Sequence, residues 1–162
     1  MTYPLEQLAL IKQKKLEESE KALKARKEAL QREEARLKTV EQDRDKVQEH
    51  RHAKLEQLRE KLDAGTSTDK IQQIKSYLKV VDEQLKAKNL KVIEHEKLVT
   101  TAKNNVEAAR QDFLKKNQDV EKLRLHRIEW EQEQKKLLEH QESVETDELG
   151  SSMHARKSKK RR

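Results

Sequence analysis

The chain has 162 residues, 43 % of them charged, 32 % hydrophobic and 2 % aromatic, with two glycines, one proline and no cysteine. A globular domain is roughly 45–50 % apolar and about 25 % charged, so there is too little apolar material for a wide core, which excludes most enzyme folds. The net charge of +7 is concentrated in the last residues: Arg156, Lys157, Lys159, Lys160, Arg161 and Arg162 follow Gly150 with no acid among them, leaving +1 for the other 149 residues.

Such a composition belongs either to a disordered chain or to a long helix, and periodicity separates the two. The first apolar period starts near Pro4, which suits the first turn of a helix because its missing N–H is not needed there. Leu16, Leu23, Leu30 and Leu37 are spaced by seven and are continued by Val40, Val47 and Leu58, with Ser19, Arg26 and Glu33 in the intervening column. Nine of 17 frame positions from Leu5 to Lys61 are apolar. Leu8, Ile11, Leu55 and Leu62 fall beside this frame, which predicts a stripe that shifts near both ends of a helix over about 4–62.

Residues 63–68 follow, with the only interior glycine and a cluster of small polar residues. Gly65 suits the left-handed position after a helix end, and Thr68 or Asp69 can cap the next helix. A short connection makes the flanking helices antiparallel neighbours. Counting outward from the turn pairs Leu62 with Ile71 and Leu5 with Ile128.

The second helix, over about 69–147, carries the stronger period. One column runs Ile71, Leu78, Leu85, Val92, Val99, Val106, Phe113, Val120, and then Arg127, Gln134 and Gln141. The other runs Ile74, Val81, Lys88, His95, Ala102, Ala109, Lys116, Leu123, Trp130, Leu137 and Val144; sixteen of these 22 positions are apolar. A 3,4 alternation held over ten heptads is the signature of a coiled-coil seam. The fold expected is all-α: an antiparallel two-helix coiled-coil hairpin over 1–149 with a disordered basic tail over 150–162. The last residues of the second helix overhang the start of the first, which sets Trp130 at the open end. Tyr77 falls beside the seam near the turn, and an exposed aromatic there is the first interface candidate.

Chemistry-bearing patterns are sparse. The six histidines, at 50, 52, 95, 126, 140 and 154, include no i,i+4 pair of the kind that presents two ligands on one helix face. His95 occupies a seam position, where a polar side chain sets register or partner choice. No glycine-rich phosphate loop is present, and a two-helix rod offers its carboxylates no closed pocket. No catalytic, cofactor, metal or small-molecule site is expected. The N-terminus has no secretion leader, no run approaches the ~20 apolar residues of a membrane span, and the lack of cysteine fits a reducing compartment.

Several short segments carry a resemblance. Tyr3-Pro4-Leu5 with Leu8 and Ile11-Lys12, Ala64-Gly65-Thr66-Ser67 at the turn, and the run from Ser76 to Val81 are three of them; the run from Leu125 to Trp130 and Asp147-Glu148-Leu149-Gly150 are the others. Together they resemble the type III secretion stalk proteins of the YscO type, chlamydial CdsO-like members included, and more distantly flagellar FliJ.

The resemblance implies a cytoplasmic, non-enzymatic coupling protein, peripheral to the inner membrane at the base of the secretion apparatus. Its open end, with Leu5, Leu8, Trp130 and Leu137, would engage the hexameric secretion ATPase, and its turn end would meet the export gate protein or cargo chaperones. The gate-contacting patch of the flagellar relatives corresponds to Val47, His50 and Lys54 with Tyr77, Val81, Gln84 and Lys88. Tyr77 and Val81 keep the family's side-chain types; His50, Lys54, Gln84 and Lys88 depart from the flagellar ones. The seven-residue frame meanwhile sets Val47 and Val81 in the seam, where they would be buried. A hairpin that satisfies its own seam should be a monomer in isolation. The competing readings are a scaffold coiled coil that self-associates through the Ile71 to Val144 seam, and a nucleic-acid-binding protein working through its tail, against which the near-neutral rod argues.

Overall fold

The structure, a computed structural model, describes residues 2–159, with side chains to Arg156. It consists of two helices, α1 (Glu6–Asp63) and α2 (Thr68–Lys159), and the described residues include no strand. The helices pack together as an all-α hairpin. The exposed surface is 13434 Å², against about 8,400 Å² for a globular chain of this mass, so little of the chain has an interior. The buried apolar side chains are Tyr3, Leu78, Val81, Val92 and Val99.

The reversal is built as expected around Gly65, whose φ is +72°. The Thr66 N–H donates to the Lys61 carbonyl at 3.1 Å and the Gly65 N–H to the Leu62 carbonyl at 3.2 Å. These are the 6→1 and 5→2 bonds of a Schellman motif, which satisfies carbonyls that a helix end would otherwise leave open. The cap of α2 lies one residue earlier than expected. The Ser67 carbonyl accepts the Ile71 N–H at 3.3 Å, so Ser67, not Thr68 or Asp69, occupies the half-helical position. At the other end α1 begins at Glu6 instead of Pro4. Tyr3 and Leu5 supply the carbonyls that receive the Glu6 and Ala9 N–H groups, and Pro4 sits in the turn before the helix.

The chain divides into two compact units, residues 19–112 and residues 1–18 with 113–162. In the first, the frame positions of α2 from Ile71 to Ala109 are all buried or half-buried, and so are those of α1 from Ser19 to Lys61 except Arg26. Arg51 pairs with Asp82 across the seam there. In the second, Leu5, Ala9, Lys12 and Leu16 of the first strand of the frame and Phe113 to Trp130 of the other are half-buried, with Arg127 exposed. Lys12 pairs with Asp119 at 2.7 Å and Glu6 with Arg127 at 3.1 Å. Residue numbers of the partners sum to 133 for Glu6 with Arg127 and for Arg51 with Asp82, the register counted from the turn.

Two expectations are corrected. The stripe does not shift toward Leu8, Ile11 and Leu62, which are 40, 53 and 50 % exposed; of the four residues beside the frame, Leu55 alone is half-buried. The frame instead keeps its seven-residue step and admits Lys12, Arg51, Lys54 and Lys61 to half-buried positions, because long basic side chains cover apolar surface with their stems and send the charge outward. The second correction concerns the tail. Helix α2 runs past Asp147 and through Gly150 to Lys159, so residues 150–159 are helical where a disordered segment was expected; the rest of that expectation, residues 160–162, lies outside the described residues.

Candidate functional site

Two groups of side chains stand out, one in each unit. In the unit of residues 19–112, α1 carries His50 and α2 carries Tyr77 one step outside the seam, where neighbouring helices bring flanking positions together. The two share a 2.9 Å hydrogen bond between His50 Nε2 and the Tyr77 hydroxyl. Their rings meet edge to face with centroids 5.8 Å apart. Lys54, one turn after His50, places its Nζ 5.5 Å from the Tyr77 ring centroid, a cation held over the ring's electron-rich face. Tyr77 is 45 % exposed, and Val80 on the next turn of α2 is exposed too.

Of the seven turn-side residues singled out in the sequence, the structure therefore gathers the exposed His50 and Tyr77 with the half-buried Lys54. Val81 is in the seam at 1 % exposure, and Val47 is half-buried. In this packing Val81 anchors the helix that presents Tyr77 and does not itself reach the surface. Gln84 is exposed and Lys88 half-buried, but they follow Tyr77 by 7 and 11 residues, about 10 and 16 Å along α2.

The second group closes the N-terminal end of α1. Tyr3 is 5 % exposed. Its hydroxyl meets His126 Nδ1 at 2.7 Å, its ring stands edge-on to Trp130 with centroids 5.5 Å apart, and the Arg127 guanidinium lies 5.8 Å from its centroid. Bonds to Glu131 and Glu6 hold Arg127 above its usual pKa, so its charge is constant at any physiological pH. Leu5 and Trp130 are half-buried, Leu8 is 40 % exposed and Leu137 is 53 % exposed. The open-end residues thus split: Trp130 packs on Tyr3 and Leu5 is half-buried, whereas Leu8 and Leu137 face solvent. From residue 135 to residue 156 every position of α2 is exposed.

The clasp itself was not foreseen. Tyr3 precedes the first helical turn, where no period marks it, and the available signal was arithmetic: 3 with 130, and 6 with 127, sum to the register number of the turn. Among the described residues no cluster of three or more His, Asp or Glu is gathered that could hold a metal ion, and no helix is long and apolar enough to cross a membrane.

The YscO-like protein family model matches residues 1–160. The chain belongs to the YscO-like family. A solved structure described as a YscO homolog, CT670 from Chlamydia trachomatis, superposes with a TM-score of 0.90 at 38 % sequence identity, covering 95 % of each chain. No curated protein sequence matches at a significant level. Membership makes this a type III secretion-related protein of a structural family, and its hairpin is that of its chlamydial relative.

Proposed function

We propose that this YscO-like protein is the stalk of a type III secretion apparatus, coupling the hexameric export ATPase to the export gate at the cytoplasmic face of the inner membrane. The observation that carries the reading is the match to the YscO-like family over residues 1–160, joined to two chemically distinct surfaces, one in each unit. The exposed His50 and Tyr77 with the half-buried Lys54 offer an aromatic flanked by a cation and an imidazole, the kind of group in which interface energy concentrates. They form the surface for the gate protein or for a cargo chaperone, with Gln84 and Lys88 extending it along α2. The clasp end, with Leu8 and Leu137 exposed beside the packed Leu5 and Trp130, is the surface for the ATPase ring.

Co-purification with the hexameric ATPase tests the assignment. Deletion of 131–149 is expected to abolish capture of the ATPase, and Tyr77→Ala to spare it while weakening gate binding or secretion. Loss of neither, in a chain that remains helical, would remove both surfaces from the proposal. The scaffold reading requires a parallel dimer zipped along the α2 seam. The intramolecular burial of Val81, Val92 and Val99 argues against it, since the same face cannot serve both.

A further inference from the structure

The seven-residue frame of α2 continues beyond the stretch that α1 covers. In this unit its positions from Phe113 to Leu123 are half-buried. Past Trp130 it runs on through Gln134, Leu137, Gln141 and Val144, about 21 Å of helix from Trp130 to Val144. Gln134 is half-buried, but Leu137, Gln141 and Val144 are exposed, and so is Leu138 beside them at 52 %. Trp130, Gln134 and Leu138, four residues apart on one side of α2, line a shallow cleft. This is a coiled-coil seam with no second helix on it.

Charge is sorted around that seam. The positions flanking a coiled-coil stripe set partner choice; from 131 to 147 they hold Glu131, Glu133, Leu138, His140, Glu145 and Asp147, four acids and no Lys or Arg. The far side of the helix carries Lys135 and Lys136 against Glu139 and Glu142, which balance, and Lys135 pairs with Glu139 at 3.9 Å. Arg127 occupies Glu131 at 3.0 Å, which leaves Glu133, Glu145 and Asp147 as the acids that face a partner. The uncovered stripe is therefore apolar along its centre and negative on both rims.

We infer that this stripe docks a basic amphipathic helix of a partner protein. Apolar side chains at steps of three and four seat along Leu137, Leu138 and Val144, and Lys or Arg on both flanks of that helix meet Glu133, Glu145 and Asp147. A second copy of the stripe is a poor occupant, because either direction of pairing sets acids against acids, and the same rims repel nucleic acid. The inference deepens the reading of the open end by giving the chemistry of what binds there, and it rests on that reading only for which protein carries the helix. Exposed ion pairs are individually weak and screened by salt, so the apolar contacts hold the complex and the rims select the sign of its partner.

The probe is a synthetic peptide of three heptads with Leu at both seam positions, Lys at both flanking positions and Ala or Gln elsewhere, beside a twin with Glu in place of Lys. Each is titrated into the full chain and followed by the emission of Trp130, the sole tryptophan. The basic peptide is expected to bind and shift the emission, and the acidic twin to bind at least tenfold more weakly. Glu133→Gln with Glu145→Gln should weaken the basic peptide about tenfold at low salt and less at high salt, whereas Glu139→Gln with Glu142→Gln, the same charge removed from the far side, should change it less than twofold. Leu137→Ser with Val144→Ser should weaken it at both salts. Binding of neither peptide, equal binding of the two, or equal effects of the rim and far-side pairs would overturn the inference. Capture of the hexameric ATPase by the parent chain is the separate measurement for the stalk reading. Its absence beside selective peptide binding would remove the stalk and leave the docking chemistry standing; its presence beside unselective binding would do the reverse.

Discussion

His50, Lys54 and Tyr77 hold one another through contacts that all end on the tyrosine: a hydroxyl bond, an edge-to-face ring pair and a cation over the ring. Nothing in that arrangement supports the hairpin's core, because Tyr77 is 45 % exposed. Tyr77→Ala is therefore expected to shift the thermal midpoint by no more than a degree or two while weakening partner binding at least tenfold, as measured by calorimetry and by titration against the gate protein. Tyr77→Phe, which keeps the ring and loses only the hydroxyl bond, should retain most of the affinity. The Lys12–Asp119 pair gives a second prediction at this scale. The hydrogen bond and charge of Lys12 hold the Asp119 carboxyl below its ordinary pKa, so the pair stabilises the fold above the usual carboxylate range and that contribution is lost as pH falls through the lowered value. Thermal melts should show Asp119→Asn less stable than the parent at pH 7, with the difference shrinking as the pH falls through the lowered carboxyl value. At 43 % side-chain exposure for Asp119 the effect is small.

At the scale of the element, the seven-residue frame was legible in both helices, because only a 3,4 alternation without drift keeps one stripe on a partner over so many turns. That basic side chains such as Lys54 and Lys61 would be half-buried in this frame was seen only in the structure. What the frame also left open was where each helix stops. Gly150 reads as a helix end, yet α2 runs through it, since one glycine costs a helix interior only about 0.5–1 kcal/mol against alanine. Gly65 differs because its backbone is left-handed. Gly65→Ala has free space for its Cβ but must adopt φ +72°, and is expected to destabilise the hairpin by about 1–2 kcal/mol. Gly65→Asn should cost less, since asparagine tolerates that conformation. Chemical denaturation of the two variants checks the order.

For the whole molecule, stability has few sources beyond the seam, since only five apolar side chains are buried among the described residues. Tyr3 is one of them, and it lies outside both helices, tying the first residues of the chain to His126 and Trp130. Tyr3→Ala is expected to cost about 3 kcal/mol, at the low end for a buried aromatic truncated to alanine. Trp130 is the sole tryptophan, so its emission reports this site directly. It should shift to longer wavelength in Tyr3→Ala and remain near the parent value in Tyr3→Phe. An unshifted spectrum in the alanine variant would mean that Tyr3 does not cover the indole.

The order of the residues alone determined that the chain is two helices around Gly65, in which register they meet and which faces are shared. Those properties follow from local backbone preference and from a repeat whose spacing must match its own antiparallel partner. The surfaces offered to other molecules were decided by tertiary packing. The seven-residue frame set Val81 in the seam and Tyr77 beside it, but not that His50 and Lys54 of the other helix close on the Tyr77 ring. A spacing rule gives a side chain its angle around the helix; only the neighbouring helix decides whether that angle leads to water.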